Sequence, residues 1–116
     1  MSKLALLAAC VLAAWLGPAA AAEDQLKRGE ALLQKQCGTC HAVGATGASA
    51  HKEAPAFRTL GQRYPIESLE EALGEGIMTG HPDMPEFEFD PDDVSAIIAY
   101  LKSIQQPANP PGAPQK

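Results

Sequence analysis

Apolar positions at three- and four-residue intervals mark two stretches of this chain as helices with one buried face. Leu26, Gly29, Leu32, Leu33 and Gln36 share one side of a helix over 24–36. Asp24 is placed to cap its start. A mid-helix glycine costs roughly 0.5–1 kcal/mol against alanine, so Gly29 on that face predicts that another element approaches closely. The second stretch opens at Asp90-Pro91-Asp92-Asp93, with a capping aspartate, proline at the first helical position and acid at the third. Val94, Ile97, Ile98 and Leu101, with Tyr100 beside them, give it a broad apolar face to about Ile104.

Between these helices the pattern is less regular. Residues 42–55, with Gly44, Gly47 and several small side chains, show no usable period and read as loop, with His51 on its surface. Pro55-Ala56-Phe57 brings an apolar, restricted segment back toward the core, and Leu60 and Tyr64 continue it. After Pro65, Ile66, Leu69, Ala72, Leu73 and Ile77 give a further helical face, which Gly74 and Gly76 fray or end. Gly80-His81-Pro82-Asp83-Met84-Pro85 cannot be regular helix, because two prolines bracket the methionine. Phe87 and Phe89 add apolar bulk beside it. There is no internal repeat and no alternating strand pattern of useful length, so the fold class is all-α. Pro107, Pro110, Pro111 and Pro114 mark residues 106–116 as a disordered tail.

The start of the chain has a different character. Met1-Ser2-Lys3 is positive, Leu4 to Leu16 is apolar, Gly17-Pro18 breaks the run and Ala19 to Ala22 supplies small residues. This is the layout of a secretory signal peptide over residues 1–22, cut after Ala22 to within a residue or two. The apolar run is short for a membrane span. A retained anchor is one alternative. Lipidation at Cys10, within Leu7-Ala8-Ala9-Cys10, is another, although the apolar run continues past that cysteine. The remainder is one small domain, residues 23–105, followed by the tail.

Without Lys3 the chain has eight Lys and Arg against fourteen Asp and Glu, a net charge of about −6. That balance argues against nucleic-acid binding, which wants a basic footprint.

Cys37-Gly38-Thr39-Cys40-His41 adds the chemistry. Two thiols three positions apart, followed at once by histidine, read as a c-type haem attachment site. The thiols add across two vinyl groups of one haem, and the imidazole reaches the iron. A thioredoxin-like pair also uses Cys-x-x-Cys but wants a βαβ context, and structural zinc wants two more ligands. The remaining cysteine, Cys10, lies in the leader. The prediction sharpens to three to five helices around one covalently bound haem c. A domain this small is marginal by area alone, so the haem-free chain is expected to fold poorly.

Haem iron tied to His41 has one more axial position. Met84 is the preferred candidate: the chain between them is long enough to wrap the far face, and flanking prolines hold a weak ligand. Thioether ligation raises the reduction potential. Met78, His81, His51 and an open site are the alternatives. No evident acid–base pair accompanies the iron to break an O–O bond.

With these residues in place, the chain resembles the class I cytochromes c, specifically small secreted bacterial ones. The match covers residues 24–104. The resemblance implies His41 as proximal and Met84 as distal ligand, and Pro55 as the proline whose carbonyl accepts the imidazole N–H. It implies that Gly29 lies at a helix crossing, with Leu33 at a position often aromatic, and that Ile97 and Tyr100 pack there from the last helix. One departure is the tryptophan often found near a propionate, since the chain's single tryptophan is Trp15. Arg58, Arg63 and Tyr64 are candidates for its role. The stretch from Gly76 to Pro85 also resembles cytochromes serving periplasmic dehydrogenases, including sulfite-oxidising enzymes. The resemblance implies a soluble periplasmic one-electron carrier, not an enzyme. Its partners would be redox proteins, including a dehydrogenase or terminal oxidase, with no membrane span in the mature chain. A haem subunit tightly bound to a dehydrogenase, and an enzyme or sensor with a labile sixth ligand, are the competing functions.

Overall fold

The computed structural model describes residues 17–76 and 82–107. Helix α1 runs Gly17–Cys37 and buries Gly29 and Leu33, with Leu26 and Leu32 packed at the edge of the core. It starts earlier than the apolar pattern predicts. Ala19 to Ala22 are strong helix formers, so Asp24 sits inside the helix and does not cap it. Residues 17–25 are exposed throughout.

The chain then loops to a 3₁₀ segment, Phe57–Gln62, which buries Phe57 and Leu60. A single 3₁₀ turn, Ile66–Ser68, leads into helix α2, Leu69–Glu75. Gly76 ends α2 with φ of 102°, a backbone state that side chains disfavour. Ile77 lies outside the described residues.

Helix α3, Pro91–Ile104, buries Val94, Ala96, Ile97, Ile98, Tyr100 and Leu101. Asp90 precedes Pro91 in extended conformation, yet its side chain makes no capping hydrogen bond. Asp93, in the first turn, pairs instead with Arg28 of α1. The main packing is α1 across α3, with α2 and the 3₁₀ segments closing around α3. Ile97 is fully buried at the centre.

The fold is all-α, and the described residues contain no strand. Among them, no helix is long and apolar enough to cross a membrane.

Candidate haem-binding site

The last turn of α1 carries the motif out of the helix. Gly38 N–H donates to the Gln34 carbonyl at 3.2 Å, and the N–H groups of Cys40 and His41 both donate to the Cys37 carbonyl, at 3.1 and 2.9 Å. One tight turn therefore holds the two cysteines and the histidine. The following loop folds back on it: His51 N–H donates to the Cys40 carbonyl at 3.1 Å, and Ala42 N–H to Ser49 Oγ at 2.9 Å.

His41 is oriented from two directions. Its Nδ1 lies 2.8 Å from the Pro55 carbonyl. A carbonyl only accepts, so Nδ1 is the protonated nitrogen and Nε2 keeps the lone pair that can bind a metal. The Phe57 ring stacks against the imidazole with centroids 4.6 Å apart and planes at 28°. Phe57 N–H in turn donates to the Ala42 carbonyl at 3.0 Å, tying the support to the motif.

Cys37 and Cys40 are both partly exposed, and they are not joined to each other. Burial, with a smaller contribution from Cys40, pushes the Cys37 thiol up to about 11. No group of three His, Cys, Asp or Glu side chains able to hold a metal occurs among the described residues. Two adjacent thiols beside an imidazole with Nε2 available form the donor set that a covalently attached haem requires.

Met84 is half-buried in the irregular segment between Pro82 and Asp90. Asp83 beside it places Oδ2 3.4 Å from His51 Nε2, so the methionine's loop is linked to the loop that covers the motif. His51 Nδ1 also accepts from Glu53 N–H at 3.3 Å, so both ring nitrogens of this surface histidine have partners. Met78 and His81 lie outside the described residues.

One feature here has no local signal in the sequence. Phe57 looks like core, which it is, but its stacking on His41 depends on tertiary placement. Arg58, one of the candidates named from the sequence, has a buried Nη1 with no hydrogen-bond partner.

The family model for cytochrome c matches residues 26–105. The chain is 37% identical over 87 residues to cytochrome c oxidase subunit 2 of Alkalihalophilus pseudofirmus, covering 62% of this chain and 23% of that one. It is 30% identical over 77 residues to cytochrome c-552 of Bradyrhizobium diazoefficiens, covering 66% of this chain and 72% of the relative. A cytochrome c-553-like protein of Synechocystis is 29% identical over 77 residues, covering 66% of this chain and 67% of that protein. No solved structure matches. The motif, the helical fold and the family match together make the chain a member of the cytochrome c family, a small helical electron-transfer protein with one covalently bound haem c.

Proposed function

We propose that the chain is an exported class I cytochrome c that carries single electrons in a periplasmic respiratory or dehydrogenase chain. Cys37 and Cys40 hold the haem, His41 Nε2 is the proximal ligand and Met84 supplies the distal thioether. The observation that carries this reading is the 2.8 Å contact between His41 Nδ1 and the Pro55 carbonyl. It selects the tautomer that leaves Nε2 for iron, and donating this hydrogen bond from Nδ1–H makes the imidazole a stronger ligand through Nε2. The bound haem supplies the ferric–ferrous couple. The residues anchor, ligate and orient, and none acts on a substrate bond.

Export rests on the leader pattern of residues 1–22. Residues 17–25 are exposed, so among the described residues cleavage after Ala22 removes no buried side chain and leaves Asp24 at the new start of α1. The domain then spans residues 23–105, with 106–116 as tail.

The likeness to an oxidase subunit favours a terminal oxidase as electron acceptor. Redox encounters of this kind use small, short-lived interfaces. Absorption spectra of both redox states test the ligand set. Wild type is expected to show the weak long-wavelength band of iron–methionine bonding and to resist carbon monoxide. Met84→Ala is expected to lose that band, bind carbon monoxide and fall in potential. Retention of the band in Met84→Ala overturns the distal assignment. Ready carbon monoxide binding by wild type points instead to a sensor or enzyme with a labile ligand.

A further inference from the structure

Gln105 joins the end of α3 to two points of the 3₁₀ segment that supports His41. It is the first residue past α3, with extended backbone at φ −61° and ψ 133°. Its amide oxygen accepts from Gly61 N–H at 2.7 Å, and its nitrogen donates to the carbonyls of Phe57 and Leu101, at 2.9 and 2.7 Å. These partners fix which way the amide faces: turned over, its nitrogen would meet an N–H and its oxygen two carbonyls. Gly61 leaves room for this seat, since a methyl group on it would stand 2.9 Å from Gln105 Oε1. Phe57 lies between the amide and the haem motif. Its carbonyl takes the Gln105 bond, its N–H donates to the Ala42 carbonyl at 3.0 Å, and its ring stacks on the His41 imidazole.

We propose that Gln105 is a positioning residue that sets the plane of the proximal imidazole by acting through Phe57. The proposal rests on the reading of His41 as a ligand of the haem iron. The Pro55 carbonyl, 2.8 Å from Nδ1, decides which nitrogen faces the iron. One hydrogen bond still lets the ring rock about the line of that bond. The Phe57 face, with its centroid 4.6 Å away and its plane at 28°, limits the rocking. Phe57 does this only while its own main chain is held. Ala42 holds its N–H from the side of the motif, and Gln105 holds its carbonyl from the side of α3. Leu101 lies in the last turn of α3, where carbonyls lack partners within the helix. One amide therefore closes the helix end and braces the residue stacked on His41.

Proton magnetic resonance of the ferric, haem-loaded protein tests this, because the spacing of the shifted haem-methyl signals follows the plane of an axial imidazole. Spectra are taken well below each variant's unfolding midpoint, where lost stability alone leaves the folded protein's signals in place. Gln105→Leu removes all three bonds and is expected to change that spacing. Phe57→Leu is expected to change it too, and the double variant Phe57→Leu/Gln105→Leu to match Phe57→Leu alone. Gln106→Ala, which loses only a 3.4 Å bond to the Ala45 carbonyl, is expected to keep the wild-type spacing. A wild-type spacing in Gln105→Leu, whatever its stability, overturns the proposal and leaves Gln105 a purely structural brace. A further change in the double variant overturns it as well, since Gln105 then acts by a route other than Phe57. An equal change in Gln106→Ala also overturns it, by assigning the effect to the chain after α3 at large. Should Gln105→Leu not accumulate, Gln105→Glu, which keeps the acceptor and loses both donors, is judged in the same way. Failure of the ligand reading shows separately, as a His41→Ala protein that keeps the wild-type low-spin spectrum.

Discussion

Gly29 of α1 rests on the main chain of Ala96 in α3: a methyl group on it would stand 2.7 Å from the Ala96 carbonyl carbon and 2.9 Å from Tyr100 Cβ. A helix-interior carbonyl cannot swing aside as a flexible side chain can. Gly29→Ala gains roughly 0.5–1 kcal/mol of helix propensity but incurs about 1–3 kcal/mol of overpacking. The clash wins. Thermal unfolding of the haem-loaded variant is expected to show a midpoint lower by roughly 5–10 °C. An equal or raised midpoint would mean that the two helices can separate without cost.

That glycine shows how much of the fold is legible in the chain. The apolar period places α1 and α3, and a costly glycine on the buried face signals that they cross. Pro91 at the first helical position marks the start of α3, which begins there. The haem motif is legible because its residues are contiguous. Other features are not. Phe57–Gln62 is 3₁₀, too short to establish a period. Gln105 reads as an ordinary polar residue after a helix. Its side chain nevertheless accepts from Gly61 N–H at 2.7 Å and donates to the carbonyls of Phe57 and Leu101, at 2.9 and 2.7 Å. Gly61 and Phe57 lie 44 and 48 residues away, and partners so distant in sequence leave no local pattern. At α1 the alanine run outweighs the capping signal of Asp24.

The bond between His51 and Asp83 ties the loop over the motif to the loop holding Met84. It is long, at 3.4 Å, and Asp83 is largely exposed, so its stabilisation is small, about 0.2–1 kcal/mol. If Met84 closes the iron, that amount restrains its departure. His51→Gln and Asp83→Asn are each expected to speed displacement of Met84 by added imidazole by at most roughly fivefold. The double variant should be no faster than either single one. Additive rate increases would show that the two side chains act separately.

Removing the haem attachment tests how far the protein core stands alone. Leu33, Val43, Phe57, Leu60, Ile97 and Leu101 are buried together, whereas Met84, Phe87 and Phe89 remain half-exposed. A domain of this size is marginal on buried area. The double variant Cys37→Ser/Cys40→Ser, purified without haem, is expected to retain some helical circular dichroism but to melt broadly. It should also bind a hydrophobic dye. A sharp, native-like transition would defeat this expectation.

Tyr100 gives the fold a pH dependence whose sign can be stated. Its hydroxyl donates to the Val43 carbonyl at 3.2 Å from a buried position. Burial first, and the nearby Glu30 carboxylate second, push its phenol above the ordinary value of 10.0. Above that value the unfolded chain releases the proton while the folded chain still keeps it. Unfolding is then favoured increasingly as pH rises. The contribution is fully present below pH 10.0 and is lost as pH climbs through the raised value. Lys102, raised by its bond to Glu67, loses stability in the same direction, so an alkaline decline alone does not isolate the tyrosine. The difference between wild type and Tyr100→Phe does. At neutral pH, denaturant unfolding is expected to place Tyr100→Phe about 0.5–1.5 kcal/mol below wild type, the worth of one buried hydrogen bond. Above the ordinary phenol value the gap should narrow, because phenylalanine has no proton to lose. A gap that stays constant through this range would show that Tyr100 ionises as easily in the folded protein as in the unfolded chain.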